Sequence, residues 1–230
     1  AYIPPSMLEK ALRDTPSSFA IWGREGKRKL SFERKKETLF GGSGVPSIIY
    51  EPETEVRRHA KLKDFVSVTR VLDGLSNVDL VTDSCTFTDV PGKDRDIAAL
   101  FHLANNTQKP LLLHITFTNE EDFSQIVEMV NFLKKNVFAE KPFLIFRISP
   151  LMSPLKLDEV NTNHLINAVK ANIPVCPVSM PQAGTSAPAS LAGTLTVMNA
   201  EILALLVISQ IVNPGVAFLY GPVPEVTNFM

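Results

Sequence analysis

Cysteine is scarce: Cys85 and Cys176 are the only two in 230 residues, and they lie far apart. That excludes a disulfide framework and any C-x-x-C pair, and it points to a reducing, cytoplasmic setting. A surplus of either charge is missing too. Lys and Arg number 23 and Asp and Glu 24, for a net charge of -1. A nucleic-acid-binding domain carries a basic surplus, so that class is excluded. Long apolar runs are absent as well. The longest strongly apolar run, residues 202–212, is shorter than the roughly 20 residues that cross a bilayer. Prolines and charges interrupt residues 1–18, which do not read as a signal peptide. What is present is core material. Hydrophobic residues make up 45% and charged residues 20% of the chain, too apolar for a disordered polymer. The length suits one large domain or two small ones.

Charge is unevenly spread. Residues 24–37 hold ten charged side chains, and residues 171–230 hold two, Glu201 and Glu225. The first stretch reads as a solvated arm. The second reads as a surface covered by protein. The Gly-rich segment 40–46 has neither the Lys-Ser/Thr ending of a phosphate-binding loop nor the spacing of a dinucleotide fingerprint, and reads as a turn. Residues 19–23 with 29–33, and 47–50 with 53–59, read as hairpins. Residues 5–13 and 62–73 read as helices.

From residue 78 the pattern turns regular. Short β-branched apolar runs occur at 78–82, 110–115, 142–148, 173–178 and 215–220. Their starts are about 31–32 residues apart, then about 41, the length of a β-α unit. Helical patterns fill the gaps at 96–106, 119–136, 157–171 and 187–212. Thr118 and Glu121 predict a capping box. The reading is α/β: an N-terminal cap over 1–77, then five parallel strands over 78–230. An open doubly wound sheet and a partial (β/α)8 barrel both satisfy this pattern.

In either architecture chemistry sits at the C-terminal strand ends. Those ends carry Asp83, His114, Arg147, the 179–185 segment with Gln182 and Thr185, and Tyr220. Arg147 offers a planar fork for a carboxylate, or an ion pair with Asp83. Asp83 attracts a cation or caps a turn. His114 is a mouth residue or a satisfied core histidine. Phe117 is a second, weaker aromatic candidate. Cys85, His114 and Cys176 are zinc-type ligands without close spacing, so no metal is assigned. No Lys lies within the five runs, which disfavours a Schiff-base enzyme. No nucleophile elbow is visible. Small residues at 180–193 allow close backbone approach, and N–H groups near 186–189 suit an anion.

The stretch from Pro181 through Ala187-Pro-Ala-Ser-Leu-Ala-Gly193, then Asn199-Ala-Glu-Ile-Leu-Ala204, Asn213-Pro-Gly215 and Tyr220-Gly221, resembles the trimethylamine methyltransferase family. Phe40-Gly-Gly-Ser-Gly44, Ala60-Lys-Leu-Lys-Asp64 and Leu72-Asp-Gly-Leu-Ser-Asn-Val-Asp79 are similar too. The resemblance implies a (β/α)8 TIM barrel. It implies methyl transfer from trimethylamine, or a quaternary amine such as glycine betaine, to a corrinoid (cobalamin) carried by a partner protein. It implies that this chain corresponds to the N-terminal part only, with the pyrrolysine position of some members lying beyond Met230. On that reading Tyr220 offers an aromatic face to an ammonium, Arg147 holds a substrate carboxylate, and Gln182 and Thr185 donate hydrogen bonds. The cofactor is not bound directly, and a homo-oligomer is expected; the open sheet edge calls for oligomerisation or a second polypeptide. A non-catalytic barrel fragment that oligomerises is the alternative. A different barrel enzyme using Arg147 and His114 on a small carboxylate is a third.

Overall fold

The computed structural model describes residues 2–33, 41, 42, 45–116 and 121–226. The elements in chain order are α1 (Pro5–Asp14), β1 (Ser18–Trp22), β2 (Lys29–Glu33), β3 (Gly41–Gly42), β4 (Ile48–Glu51), β5 (Val56–His59), α2 (Leu62–Gly74) and β6 (Leu80–Thr82). Then follow α3 (Gly92–Asn106), β7 (Leu111–His114), α4 (Glu121–Asn136), β8 (Leu144–Ile148), β9 (Leu151–Met152) and β10 (Lys156–Leu157). The last are α5 (Glu159–Lys170), β11 (Val175–Ser179), β12 (Gln182–Ala183), α6 (Leu191–Val212), β13 (Gly221–Pro222) and β14 (Glu225–Val226).

The main sheet has the strand order β13-β11-β8-β7-β6-β3. The registered neighbours β3/β6, β6/β7, β8/β11 and β11/β13 are all parallel. Each strand lies beside its predecessor, the order of a partial (β/α)8 barrel. A doubly wound sheet reverses direction at its switch point. The sequence therefore predicts the right class, and strand order decides between its two alternatives. Strands β8 and β11 are buried almost throughout, which explains why they read as unbroken apolar runs.

The chain divides into two compact units, residues 18–145 and residues 1–17 with 146–230. In the first, β1 and β2 form an antiparallel hairpin in which Phe19 stacks on Phe32, ring centroids 4.6 Å apart. Strands β4 and β5 form a second hairpin. Phe65, Phe87, Leu100, Leu103, Phe123 and Phe138 are buried between helices and strands. Phe138 stacks on Phe143 at 4.0 Å.

In the second unit, β9 and β10 make a small antiparallel hairpin directly after β8. Asp158 accepts from the Asn161 amide and caps α5, the usual service of an aspartate at this position. Helix α1, with Pro5 in its first turn, lays Ala11 against Leu206 and Val207 of α6, with Leu8, Leu203 and Phe218 beside them.

Four expectations need correction. Gly41 and Gly42, expected in a turn, pair in parallel with Leu80 and Val81 as an edge strand. The rest of that Gly-rich stretch, Phe40, Ser43 and Gly44, lies outside the described residues, as do Arg34–Lys36, Phe117 and Thr118 of the expected capping box. Strand five runs further than 215–220: Ala217 and Leu219 bond to Val175, and Gly221 and Pro222 pair with Val178 and Ser179. Helix α6 begins at Leu191 rather than 187. It also reaches 22 residues with mean hydropathy 1.9, so one described helix is long and apolar enough to cross a membrane by length and composition.

Candidate functional site

Side chains alternate between the two faces of a strand. On β11, Ser179 Oγ donates to Glu201 on α6 at 2.6 Å, so Val175, Pro177 and Ser179 look toward the helices. Cys176 and Val178 look the other way. Register places Arg147 opposite Cys176 and Gly221 opposite Val178. Arg147, Cys176, Val178 and Gly221 therefore share the face opposite the helices. Arg147 is half-buried there. Burial pushes the Cys176 thiol up to about 11, with the Arg147 charge acting against it. The thiol next to the guanidinium is thus neutral.

Gly221 is required by this packing. A Cβ there would lie 2.6 Å from the Pro177 carbonyl oxygen and 2.9 Å from Cys176 Sγ.

Tyr220 falls on the opposite parity from Gly221. Its hydroxyl donates to Asn199 Oδ1 on α6 at 3.0 Å. The ring stands with Leu195, Met198 and Leu203 in a mainly apolar groove of about 650 Å³ that Ile3 and Leu8 also line. The aromatic residue expected at a strand end is therefore turned toward the helix layer.

Gln182 and Thr185 come together in one tight turn. Thr185 Oγ1 donates to Gln182 Oε1 at 3.2 Å, and the Thr185 amide donates to the Gln182 carbonyl at 3.1 Å. Gln182 Nε2 reaches Glu225 Oε2 at 3.1 Å. The Ala187 amide, one of those expected to meet an anion, also closes on the Gln182 carbonyl. Ser190 caps α6 by accepting from the Gly193 amide. Gly193 leaves room for the loop: a Cβ would lie 2.6 Å from Pro188 Cβ.

In the 18–145 unit, Leu111 and Leu113 are buried, and Leu112 and His114 are half-buried on the other face of β7. Thr82 pairs with Leu112. The structure brings Asp83 and His114 together, but through the backbone. The His114 amide donates to Asp83 Oδ1 at 3.2 Å. The buried Asp83 carboxylate thus extends the strand ladder past the end of β6, closer to the capping reading than to a cation site.

Two acids were missed by sequence reasoning. Asp96 on α3, 2% exposed, accepts from both the amide and the hydroxyl of Thr116 at 2.5 Å. Glu201 on α6, 1% exposed, accepts from Ser153 Oγ, Ser179 Oγ and the Leu155 amide. Both hold residues at or beyond strand C-terminal ends. Glu201 carried a usable signal, because a lone carboxylate in a long apolar helix needs buried partners. Among the described residues no three His, Cys, Asp or Glu side chains converge as a metal site.

Comparison with known proteins agrees with this architecture. The trimethylamine methyltransferase (MTTB) family profile matches residues 1–229. The glycine betaine methyltransferase of Desulfitobacterium hafniense (strain Y51) is 29% identical over 221 residues, covering 96% of this chain and 46% of that protein. The trimethylamine methyltransferase MttB of Methanosarcina barkeri is 30% identical over 224 residues, 95% of this chain and 45% of that one. That of Methanosarcina thermophila is 31% identical over 225 residues, with 95% and 46% covered. The chain spans about half the length of the curated relatives it matches. With the family profile spanning nearly every residue and the parallel β/α order in place, the chain belongs to the trimethylamine methyltransferase family.

Proposed function

We propose that this chain contributes the N-terminal strands of an enzyme that moves a methyl group from a methylated amine, trimethylamine or a quaternary amine such as glycine betaine, to a corrinoid carried by a partner protein. The observation that carries this reading is the family match over residues 1–229. The placement of Arg147 on the sheet face opposite Ser179 and its α6 partner Glu201 supports it.

The reaction asks little acid–base chemistry of the protein. The nitrogen–methyl bond breaks, its electron pair stays on nitrogen, and the amine leaves with one methyl fewer. The corrinoid, when docked, supplies the reduced cobalt centre that accepts the methyl. The chain's own residues hold and aim the amine. Arg147 binds the carboxylate of a betaine through its planar fork. The Cys176 thiol beside it stays neutral, so no thiolate competes with that carboxylate for the guanidinium. Asp83 and Asp96 are occupied by amide and hydroxyl donors, so they brace strand ends. Gln182 and Thr185 shape the rim through their mutual turn.

The test is methyl transfer itself. A complete barrel that carries this chain as its N-terminal strands is mixed with reduced cobalamin and either amine, and methylcobalamin is followed by absorbance. Methylation with at least one amine is expected. Absence of transfer from every methylated amine, with the fold intact by circular dichroism, overturns the enzyme reading for this chain.

A second reading is an oligomerising or interaction module. It is favoured by Leu191 and Leu195 on α6, 68% and 50% exposed, since apolar surface of this kind marks contact sites. Light scattering distinguishes them: a monomer of 25.3 kDa counts against the module.

A further inference from the structure

Glu201 is a buried carboxylate on an otherwise uncharged helix, and its hydrogen bonds go to two different segments. Oε2 accepts from Ser153 Oγ at 2.9 Å and from Ser179 Oγ at 2.6 Å. Oε1 accepts from the Leu155 amide at 2.7 Å. Ser153 and Leu155 belong to the β9–β10 hairpin that follows Arg147's strand. Ser179 ends β11 and immediately precedes the 180–185 turn. A core helix has no need of a charge at this position, because an apolar side chain packs there without desolvation cost. Three donors from two rim segments give the carboxylate a use that packing alone does not.

We infer that Glu201 is a positioning residue: a clasp that fixes the β9–β10 hairpin against the end of β11 and so sets the rim beside the Arg147 face. The clasp follows from the hydrogen bonds alone; its effect on substrate rests on the methyltransferase reading above. Glutamine keeps the clasp. Its amide oxygen accepts from the Leu155 amide, and the two serine hydroxyls turn to accept from its NH2 group. Leucine keeps the volume and removes every acceptor, leaving the Leu155 amide unpaired.

The experiment measures amide hydrogen exchange and glycine betaine affinity in the wild type, Glu201→Leu and Glu201→Gln. In Glu201→Leu, exchange at Leu155 rises about tenfold while α6 amides are unchanged, and betaine binds several-fold more weakly. Glu201→Gln restores both. Unchanged exchange at Leu155, or an equal rise across the whole unit, overturns the clasp. Faster exchange with unaltered affinity reduces Glu201 to a structural brace and overturns the positioning role. A wild type that exchanges as expected but binds no betaine overturns the substrate reading, and with it the positioning role, while the exchange data still decide the clasp. If Glu201→Leu fails to fold, Ser153→Ala carries the test: exchange at Leu155 rises and Ser153→Thr, which keeps the hydroxyl, reverses it. Equal exchange in all three proteins overturns the proposal.

Discussion

Arg147 and Cys176 stand opposite one another on adjacent parallel strands, so a guanidinium and a neutral thiol share one sheet face. If that face holds substrate, Arg147→Ala weakens binding of a carboxylated amine and leaves trimethylamine affinity unchanged. The loss is about ten- to a hundredfold, the range for a hydrogen bond to a charged group. Arg147→Lys recovers part of it, since lysine keeps the charge and loses the fork. Calorimetric titration with both amines checks this.

Both cysteines are expected to resist thiol reagents in the native protein. Burial pushes the Cys85 and Cys176 thiols up to about 11, so about one in a thousand is ionised at pH 8. Labelling at pH 8 should be slow, and addition of denaturant should release two reactive thiols per chain. Fast native labelling at Cys176 would contradict the packing around Gly221.

Gly221→Ala is expected to detach strand five. The added methyl meets the Pro177 carbonyl and Cys176 Sγ, and such overpacking costs about 1–3 kcal/mol. Gly193→Ala meets Pro188 at 2.6 Å and should loosen the loop before α6 by a similar mechanism. Denaturant melts of the two variants check both, and stability equal to wild type in Gly221→Ala would refute the close approach.

Acid stability should depend on Arg58, which pairs with both Asp64 and Glu51. The Arg58 guanidinium hydrogen-bonds Asp64 and holds its carboxyl down at about 2, against an ordinary 3.8. A carboxyl depressed in the folded state stabilises above its unfolded value, and that contribution is lost as pH falls toward the folded value. The loss therefore falls between about pH 4 and pH 2. Arg58→Ala should remove this step from the stability–pH curve. An unaltered step would assign it to another carboxylate.

Much of the sheet was legible in the sequence because strands such as β8 and β11 are buried on both faces. Runs such as 142–148 stand out against amphipathic helices, and the 31–32-residue spacing follows from one crossover per strand. Both hairpins were read from the sequence, though the second strand of the 47–59 hairpin begins at Val56 rather than at residue 53. The misplacements have physical causes. The Gly41–Gly42 edge strand has no side chains to signal burial. The end of strand five is set by tertiary pairing to Val178 and Ser179, which extends it past Tyr220 and fixes that ring toward α6. Asp83 and His114 were each read as strand-end candidates, but the bond that joins them uses a backbone amide, which no residue pattern announces. Glu201 was visible as one of two charges after residue 170, and its partners lie 46–48 and 22 residues away.

The most direct test of the account follows the arginine side-chain Nε–H resonances of the isotopically labelled chain during titration with glycine betaine, with Arg147→Ala supplying the assignment. The account predicts a saturable shift of the Arg147 resonance, with smaller shifts at Cys176 and Gly221 amides. A folded protein whose Arg147 resonance does not move, or in which betaine shifts only residues remote from that sheet face, would contradict it.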